Sequence, residues 1–274
     1  MKKLFLMLAV CAVGFSACSG NKQDVSSPDA IKKAGVVRIG VFSDKAPFGY
    51  VDSNGEYQGY DVFFAHRIAQ DLLGDANKIE LVPVEAASRV EYLQSGKVDI
   101  ILANFTQTPQ REEVVDFALP YMKVALGIVS PDIAPINDIA ELEGKILIVN
   151  KGTTAEQYFT EKFPQIELLK FDQNTETFNA LLDGRGAALA HDNTEVLAWS
   201  LENPGFTTTI PSIGSLDRIA PAVKKGNKAL LDWLNNEIKN LPPDFFLQDY
   251  NATLLSRYGD NVDPANLVVE NGNF

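Results

Sequence analysis

Cysteine is nearly absent from this sequence: Cys11 and Cys18 are the only two in 274 residues, and both lie close to the first residue. If residues 1–17 were removed as a cleaved N-terminal segment, 257 residues would remain. They would contain Cys18 as their single thiol and could therefore form no internal disulfide. Without disulfides, the fold depends on its hydrophobic core, and 257 residues suffice for one large domain or two ordinary ones.

Histidine and positive charge are also scarce. The only two histidines, His66 and His191, lie far apart and have no cysteine nearby, so we expect no metal site and no cofactor. The chain carries 24 lysines and arginines against 36 acidic residues, a net charge of −12 that becomes −14 if Lys2 and Lys3 are removed. This acidic balance argues against nucleic-acid binding and against flat binding to an anionic membrane surface.

No apolar run in the sequence is long enough to span a membrane, but a short one opens the chain. Lys2 and Lys3 precede an apolar stretch at residues 4–14, and small residues then lead to Cys18. This order predicts a secretory signal peptide over residues 1–17. The run into Cys18 resembles a bacterial lipoprotein box, which implies an extracytoplasmic protein anchored to the membrane through an acylated Cys18. The alternative is an ordinary secretory peptide with an incidental cysteine.

Beyond Cys18 the sequence divides into a polar segment and a folded body. Residues 21–28 are rich in serine and aspartate, so we expect residues 18–35 to form the lipidated N-terminus and a flexible tether. Strand patterns then alternate with helical patterns, at residues 36–42, 79–84, 98–102, 145–149, 168–171 and 187–190. Near-continuous apolar strands separated by helices indicate parallel sheets covered on both faces, and two such series predict two α/β lobes. Ligands bind beyond the carboxyl ends of the strands of such sheets.

The first helical pattern has clear ends. Asp61 is expected to be its N-cap, and Gly74 its C-terminal stop. Between them Phe64, Ile68 and Leu72 recur at helical spacing and predict an apolar face.

The residues after the strand pattern at 98–102 favour ligand binding. Asn104 and Thr106 follow an apolar strand, where small and hydroxyl side chains leave N–H and O–H groups facing a cleft. Pro109 predicts a short helix with Arg111 in its first turn, where a cation opposes the helix dipole unless an anion lies nearby. A planar guanidinium suits a carboxylate, although a surface arginine on a solvated turn is an equal alternative.

Two further strand ends carry candidate ligand groups. After the fourth strand pattern, Thr153 or Thr154 can cap the next helix, Thr154 has capping-box spacing to Gln157, and free N–H groups at such a helix start bind anions. After the sixth, Asp192 is a candidate partner for an ammonium group, with an N-cap role as the equal alternative. Together with Arg111, these groups match the zwitterion of an α-amino acid.

An ordered set of motifs extends over roughly residues 36–259. They read VRIGV at 37–41, APFGY at 46–50, QGYDV at 58–62, GKVDII at 96–101, TQTPQR at 106–111, VDF at 115–117, PY at 120–121 and GTT at 152–154. Through these motifs the chain resembles the extracytoplasmic solute-binding proteins of polar-amino-acid ABC transporters, bacterial family 3. The resemblance implies a protein, expected to be a monomer, that delivers an amino acid to a transmembrane permease.

The resemblance also implies a fold. It is the two-lobed periplasmic-binding-protein fold, in which each lobe is a mainly parallel sheet flanked by helices. Residues 36–123 together with 219–274 would form lobe 1, and residues 124–218 would form lobe 2. Two hinge strands, near residues 122–126 and 218–222, would join the lobes.

By the same resemblance, the candidate residues take specific roles. Arg111 would hold the ligand carboxylate, together with Thr106 and the backbone N–H of Thr154. Asp192 would hold the ligand ammonium group, and Asn104 would offer its backbone carbonyl.

A second group of residues would surround the ligand side chain. Lys45, Tyr50, Arg89 and His191 would line or border this subsite, with Phe48 as a wall or core residue. The sequence around these positions resembles that of the cysteine-binding members, so L-cysteine is the first choice of ligand. Aspartate, glutamate or another polar amino acid is the alternative, because Lys45 and Arg89 would equally serve a side-chain carboxylate.

The chain is predicted not to be an enzyme. The rival is an enzyme on the same fold, similar to cyclohexadienyl dehydratase, which would need a general acid in the cleft. Glu195, three residues after Asp192, is the candidate, but we expect it to face solvent. A surface lipoprotein that acts mainly in adhesion is a third alternative, against which the intact set of zwitterion-binding groups argues.

Overall fold

The computed structural model describes residues 26–274 and shows a mixed α/β protein built on two five-stranded sheets. The predicted signal peptide, Cys18 and most of the predicted tether lie outside the described residues. The tether is shorter than expected, because Pro28–Ala34 forms a helix, α1, whose Ile31 is buried in the core. Ser27 caps this helix by accepting a hydrogen bond from the Ala30 N–H.

The strands and helices of residues 26–274 alternate along most of the chain. The strands are β1 Val37–Val41, β2 Asp44–Lys45, β3 Gly49–Val51, β4 Tyr57–Gln58, β5 Ile79–Pro83, β6 Ile100–Ile101, β7 Val115–Phe117, β8 Met122–Pro131, β9 Ile146–Asn150, β10 Glu167–Phe171, β11 Ala188–Asp192, β12 Phe206–Ile219 and β13 Ala222–Lys224. The other helices are α2 Tyr60–Leu73, α3 Arg89–Ser95, α4 Pro109–Glu112, α5 Thr154–Lys162, α6 Asn174–Leu182, α7 Asn193–Glu202, α8 Lys228–Asn240, α9 Phe245–Thr253 and α10 Leu255–Tyr258. No helix in this part of the chain combines the length and the apolar character needed to cross a membrane.

The two large sheets define two lobes. The sheet of the first lobe has the order β5-β1-β6-β13-β7, and that of the second has the order β10-β9-β11-β8-β12. All six predicted strands are present, and they pair in parallel as expected. Each sheet also contains two strands in antiparallel pairing, β13 and β7 in the first and β8 and β12 in the second, and only their segments near residues 122–126 and 218–222 were predicted, as hinge strands. A small antiparallel sheet of β2, β3 and β4 lies beside the first lobe.

The chain passes between the lobes along two neighbouring strands. β8 and β12 pair in antiparallel fashion, with Lys123 opposite Arg218 and Met122 opposite Ile219. At the same end, Ile219 also pairs with Thr106, a residue that follows the first-lobe strand β6. This arrangement agrees with the predicted hinge segments.

Helix α2 shows how the first lobe is built. Its apolar face buries Phe64, Ile68 and Leu72, as predicted, and Gly74 ends it in the left-handed conformation. Its N-cap is Gly59 and not Asp61, which lies in the first turn and uses its carboxylate elsewhere. Replacing Gly59 would be costly, because its φ of +116° is unfavourable for other residues and a Cβ would lie 2.4 Å from a backbone oxygen of Phe48.

Candidate functional site

Buried polar side chains converge where the carboxyl ends of the two sheets face each other. Here they enclose a cavity of about 10 Å³, far smaller than an amino acid. Its lining contains eight of the ten predicted ligand residues: Lys45, Arg89, Asn104, Thr106, Arg111, Thr154, His191 and Asp192. Larger cavities exist, one of about 520 Å³ in the second lobe among Ile139, Phe163 and Ile210, but its lining includes no buried charge. Buried charge, and not volume, therefore identifies the candidate site.

Lys45 forms an ion pair across the cleft. Its ammonium lies 2.7 Å from Oδ2 of Asp192 and 2.8 Å from Oδ1 of Asn104, and all three side chains are buried. Burial by itself raises the pKa of Asp192, but the charge of Lys45, its hydrogen bond and the charge of Arg89 hold it below the ordinary value. Asp192 therefore pairs with the ammonium group of Lys45, and its predicted pairing with a ligand ammonium group stays a prediction.

Asp192 occupies the N-cap position of α7 without acting as a cap. Its side chain makes no capping hydrogen bond and turns towards Lys45 instead. Of the two roles that the sequence left open, the structure therefore does not show side-chain capping, and the binding of a ligand ammonium group stays a prediction.

Two guanidinium groups lie on the opposite side of the cavity. Arg89 donates to the backbone carbonyls of Ala86, Ala103 and Gly152, and Arg111 donates to those of Thr106 and Gly152. Neither makes an ion pair with a carboxylate of residues 26–274. Burial lowers the pKa of Arg111 to about 10, and burial and then the charge of Arg111 lower that of Arg89 well below its ordinary value. This side of the cavity is therefore strongly positive.

Gly152 brings the second lobe against the first. Its carbonyl accepts hydrogen bonds from Arg89 at 3.1 Å and from Arg111 at 2.9 Å. Two guanidinium groups of the first lobe therefore bind one carbonyl of the second. Its φ is +74°, and a Cβ here would lie 2.5 Å from the Cα of Ala87. The close approach of the two backbones requires glycine.

The helix behind Gly152 begins one residue earlier than the predicted capping box. Thr153 is the N-cap of α5, its hydroxyl accepts from the Glu156 N–H, and the carboxylate of Glu156 accepts from the Gly152 N–H. The predicted Thr154–Gln157 box is therefore wrong, and Thr154 is the first helical residue. Thr153 also lines the cavity, together with Phe42 and Ala86, and none of these three was predicted from the sequence as a ligand residue.

Asn104 is held in an unusual backbone conformation. Its φ is +45°, a region that few residues other than glycine adopt. Its N–H donates to Oδ2 of Asp61, whose other oxygen accepts from the Tyr121 hydroxyl, and its own carbonyl accepts from Arg89. Burial raises the pKa of Asp61 to about 7, against the opposing hydrogen bond from Tyr121 and the charge of Lys45. Asp61, predicted as a helix cap, thus positions a residue of the cavity.

His191 is a neutral side chain in this site. Burial, with the charge of Lys45, lowers its pKa to about 3. Its Nδ1 lies 2.7 Å from the backbone N of Asp192 and accepts that hydrogen bond, so the ring proton resides on Nε2. Nε2 is buried and has no hydrogen-bond partner within residues 26–274.

Tyr50 and Phe48, the other two predicted ligand residues, do not line the cavity. Tyr50 is half-buried, with its ring beside the guanidinium of Arg257 at 5.3 Å. Phe48 is fully buried in the first-lobe core, and its ring centroid lies 5.7 Å from the Lys45 ammonium, so the core alternative for Phe48 is favoured.

Glu195 differs most from its prediction. It was expected to face solvent, but its side chain is 4 % exposed. Helix α10 packs against α7, and the Tyr258 hydroxyl donates to the carbonyl of Thr194, so the first turn of α7 is covered. Burial raises the pKa of Glu195 to about 8, and the charge of Lys45 opposes this shift. Glu195 is not among the residues that line the cavity.

Among the described residues, no group of acidic, histidine or cysteine side chains is arranged to hold a metal ion.

Comparison with known proteins gives consistent results. Residues 37–252 match the family model of bacterial extracellular solute-binding proteins, family 3. A solved solute receptor for L-cysteine from Neisseria gonorrhoeae is 59 % identical with a TM-score of 0.87, over 89 % of this chain and 100 % of that one. The cysteine-binding protein of Campylobacter jejuni is 56 % identical with a TM-score of 0.88, over 89 % and 98 %. The ABC transporter glutamine-binding protein of Bacillus subtilis is 32 % identical, over 88 % of this chain and 90 % of the relative.

Proposed function

This chain belongs to family 3 of the bacterial extracellular solute-binding proteins and supplies an amino acid to the permease of an ABC transporter, and we propose that its ligand is L-cysteine. The family is extracytoplasmic. The observation that carries the proposal is the pairing of opposite charges across the cavity. Arg111, without a carboxylate partner within residues 26–274, lies on one side, and Asp192, already paired with an ammonium group, lies on the other.

This arrangement supports specific roles for the two ends of the ligand. The α-carboxylate would bind Arg111, the Thr106 hydroxyl and the backbone N–H of Thr154, at the start of α5. The α-ammonium would bind Asp192 and the carbonyl of Asn104. Because the cavity of about 10 Å³ cannot hold an amino acid, the lobes have to separate before the ligand binds.

The choice of L-cysteine rests on two observations. Two solved structures that share more than half of their residues with this chain are a solute receptor for L-cysteine and a cysteine-binding protein. In addition, Lys45, Arg89 and His191 surround the cavity closely, which favours a small side chain. The three groups would contact the ligand side chain.

A ranking of ligands tests this choice. We expect L-cysteine to bind more tightly than L-serine, since a pocket fitted to sulfur loses contacts with the smaller hydroxyl and has to desolvate it. D-Cysteine should bind poorly, because inversion at Cα moves the side chain away from its subsite. The measurement is a thermal-shift screen of all amino acids followed by calorimetry under reducing conditions. Tighter binding of aspartate or glutamate than of cysteine would contradict the proposal.

An acidic amino acid is the second candidate. Lys45 and Arg89 are buried cations, and a side-chain carboxylate would pair with either. The same screen decides between the candidates, because an acidic ligand would then give the largest shift.

The lobes are proposed to comprise residues 36–123 with 219–274 and residues 124–218. The antiparallel pairing of Lys123 with Arg218 supports a boundary at this point. Closure about this pair of strands would bring the two halves of the site together.

The protein is proposed to be a monomeric lipoprotein that catalyses no reaction, anchored through Cys18 after removal of residues 1–17. Small residues before Cys18, and a positive start followed by a short apolar run, support the anchor. Glu195 does not line the cavity, and this supports binding without catalysis.

Replacement of Cys18 by serine tests the anchor. Cys18→Ser removes the thiol that would be acylated, so we expect the protein to move from the membrane fraction to the soluble extracytoplasmic fraction. The matched control is Cys11→Ser, which lies in the segment that is cleaved off and should leave fractionation unchanged. The anchor is refuted if Cys18→Ser remains with the membranes as the parent does.

A further inference from the structure

Positive charge exceeds negative charge around the cavity. Lys45 and Arg89 are buried and Arg111 is partly buried, whereas Asp192 is the carboxylate that lines the cavity with them. Asp192 is already paired with Lys45, and both guanidinium groups donate only to carbonyl oxygens. A zwitterionic amino acid has no net charge and would leave this excess unchanged. Buried charges are stabilised by opposite charges, so the cavity favours a ligand with a net negative charge.

The side-chain subsite also offers a hydrogen-bond donor. The backbone N–H of Asp192 donates to Nδ1 of His191, which leaves the imidazole proton on Nε2. Nε2 is buried, lacks a partner within residues 26–274, and belongs to a side chain that is 1 % exposed and lines the cavity. A buried N–H without an acceptor is unfavourable, so the ligand side chain is expected to supply one.

We propose that the cleft binds L-cysteine as its thiolate and releases the thiol proton to the solvent. This inference rests on the proposed function. On binding, the S–H bond breaks, the electron pair remains on sulfur and the proton passes to the buffer, so that the bound ligand carries one net negative charge. The sulfur accepts the hydrogen bond from Nε2 of His191, and Arg89 supplies a buried positive charge that makes no ion pair with a carboxylate of residues 26–274.

Other titratable groups face the cavity residues, and the protons that they exchange have to be distinguished from the proton that the ligand releases. They are Asp61 on α2, which faces Lys45 and Arg89; Asp44 on β2 and Glu195 on α7, which face each other near Lys45; Asp217 on β12, which faces Arg111; and Arg257 and Tyr258 on α10, which face Glu195. These groups can take up or release protons when any amino acid closes the cleft, whether or not its side chain ionises. S-Methyl-L-cysteine, whose sulfur cannot ionise, therefore serves as the reference ligand.

Calorimetry in buffers of different ionisation enthalpy counts the protons released on binding. The full chain with Cys18→Ser is suitable, because residues 26–274 contain no cysteine and the ligand is then the main thiol present. At pH 7 free cysteine is mainly a thiol, since the ordinary thiol pKa is about 8.5, so we expect nearly one more proton released for L-cysteine than for S-methyl-L-cysteine. The ultraviolet absorbance of the thiolate should appear on binding at the same pH. The affinity for L-cysteine, relative to the reference, should rise up to about tenfold per pH unit below the thiol pKa.

Two variants test whether Arg89 and His191 cause the proton release and the thiolate absorbance. Arg89→Gln removes the charge, and His191→Phe removes the donor, so each should reduce the proton release and the thiolate absorbance per bound ligand. Arg185→Gln removes an exposed arginine of the second lobe and should leave both unchanged. If wild-type protein binds L-cysteine without extra proton release and without thiolate absorbance, the inference is overturned and the proposed function stands. If L-cysteine does not bind, both are overturned.

Discussion

Replacement of Arg111 by alanine is expected to weaken amino-acid binding by about 2–5 kcal/mol, or roughly 30-fold to several thousand-fold in Kd. The loss arises because the ligand carboxylate would be buried without the charge that it needs. In the structure Arg111 donates to the carbonyls of Thr106 and Gly152, at 2.6 Å and 2.9 Å, and is free to exchange one of these for a carboxylate. The fold should tolerate the change, since the variant removes a cation that no carboxylate of residues 26–274 neutralises.

Arg111→Lys separates charge from geometry. Lysine keeps the positive charge but cannot make two parallel hydrogen bonds, so its affinity should lie between those of the wild type and of Arg111→Ala. Arg185→Ala is the matched control, because Arg185 is exposed and packs on Phe171 away from the cavity. Calorimetry gives the affinities, and thermal unfolding without ligand checks the fold. Wild-type affinity in both Arg111 variants would show that the carboxylate binds elsewhere.

The predicted strands were accurate for a physical reason. β1, β6, β9 and β11 lie inside the sheets, and their sequences are correspondingly apolar and mostly buried. β5 and β10 are edge strands that pair in parallel with β1 and β9 and keep some exposed residues. β12 could not be predicted in this way, because much of Phe206–Ile219 is partly exposed and its register shifts repeatedly against β8. Pairing between segments so distant in the chain leaves no local pattern.

Individual residues of the candidate site could be predicted from their positions at strand ends, but the contacts between these residues could not. Asn104, Thr106 and Arg111 follow β6, Asp192 ends β11, and these positions at strand ends indicated a ligand role. The partner of Asp192 in the structure is Lys45, 147 residues away in the sequence, and no local pattern joins the two.

The prediction that Glu195 faces solvent was wrong. A glutamate in the first turn of a helix ordinarily faces solvent, where its charge interacts favourably with the helix dipole, and Glu195 was expected to be exposed. The structure buries it because the C-terminal segment returns and places α10 over α7. Long-range packing of this kind overrides local preference.

Removal of the Asp192 carboxylate should impair both binding and closure. In the structure Asp192 accepts from Lys45 at 2.7 Å, and the cavity otherwise presents the charges of Lys45, Arg89 and Arg111. Asp192→Ala would leave these cations facing the ligand ammonium, so we expect a loss of affinity of about 2–5 kcal/mol. Asp192→Asn keeps an oxygen acceptor without the charge, and its loss should be smaller.

Closure is expected to depend on Asp192, because the proposed ligand-binding groups come from both lobes. Thr106 and Arg111 belong to the first, and Thr154 and Asp192 to the second, so an open cleft satisfies only part of the ligand. A shift from about 1:99 to 99:1 in favour of the closed form needs roughly 5.5 kcal/mol of differential affinity. A charge-assisted hydrogen bond made only in the closed form supplies a sizeable part of this difference. At saturating ligand, Asp192→Ala should therefore close less completely than the wild type.

Distance measurements between the lobes test this prediction. Spin labels at Gln70→Cys on α2 and Glu161→Cys on α5, in the Cys18→Ser background, would report the separation of the two lobes through exposed helix positions. Asp172→Ala is the matched control, because it removes an exposed aspartate paired with Lys151 in the second lobe and should close as the wild type does. If ligand leaves the wild-type distance unchanged, or if saturated Asp192→Ala closes fully, then Asp192 does not couple binding to closure, and the mechanism of two lobes closing on one zwitterion is wrong.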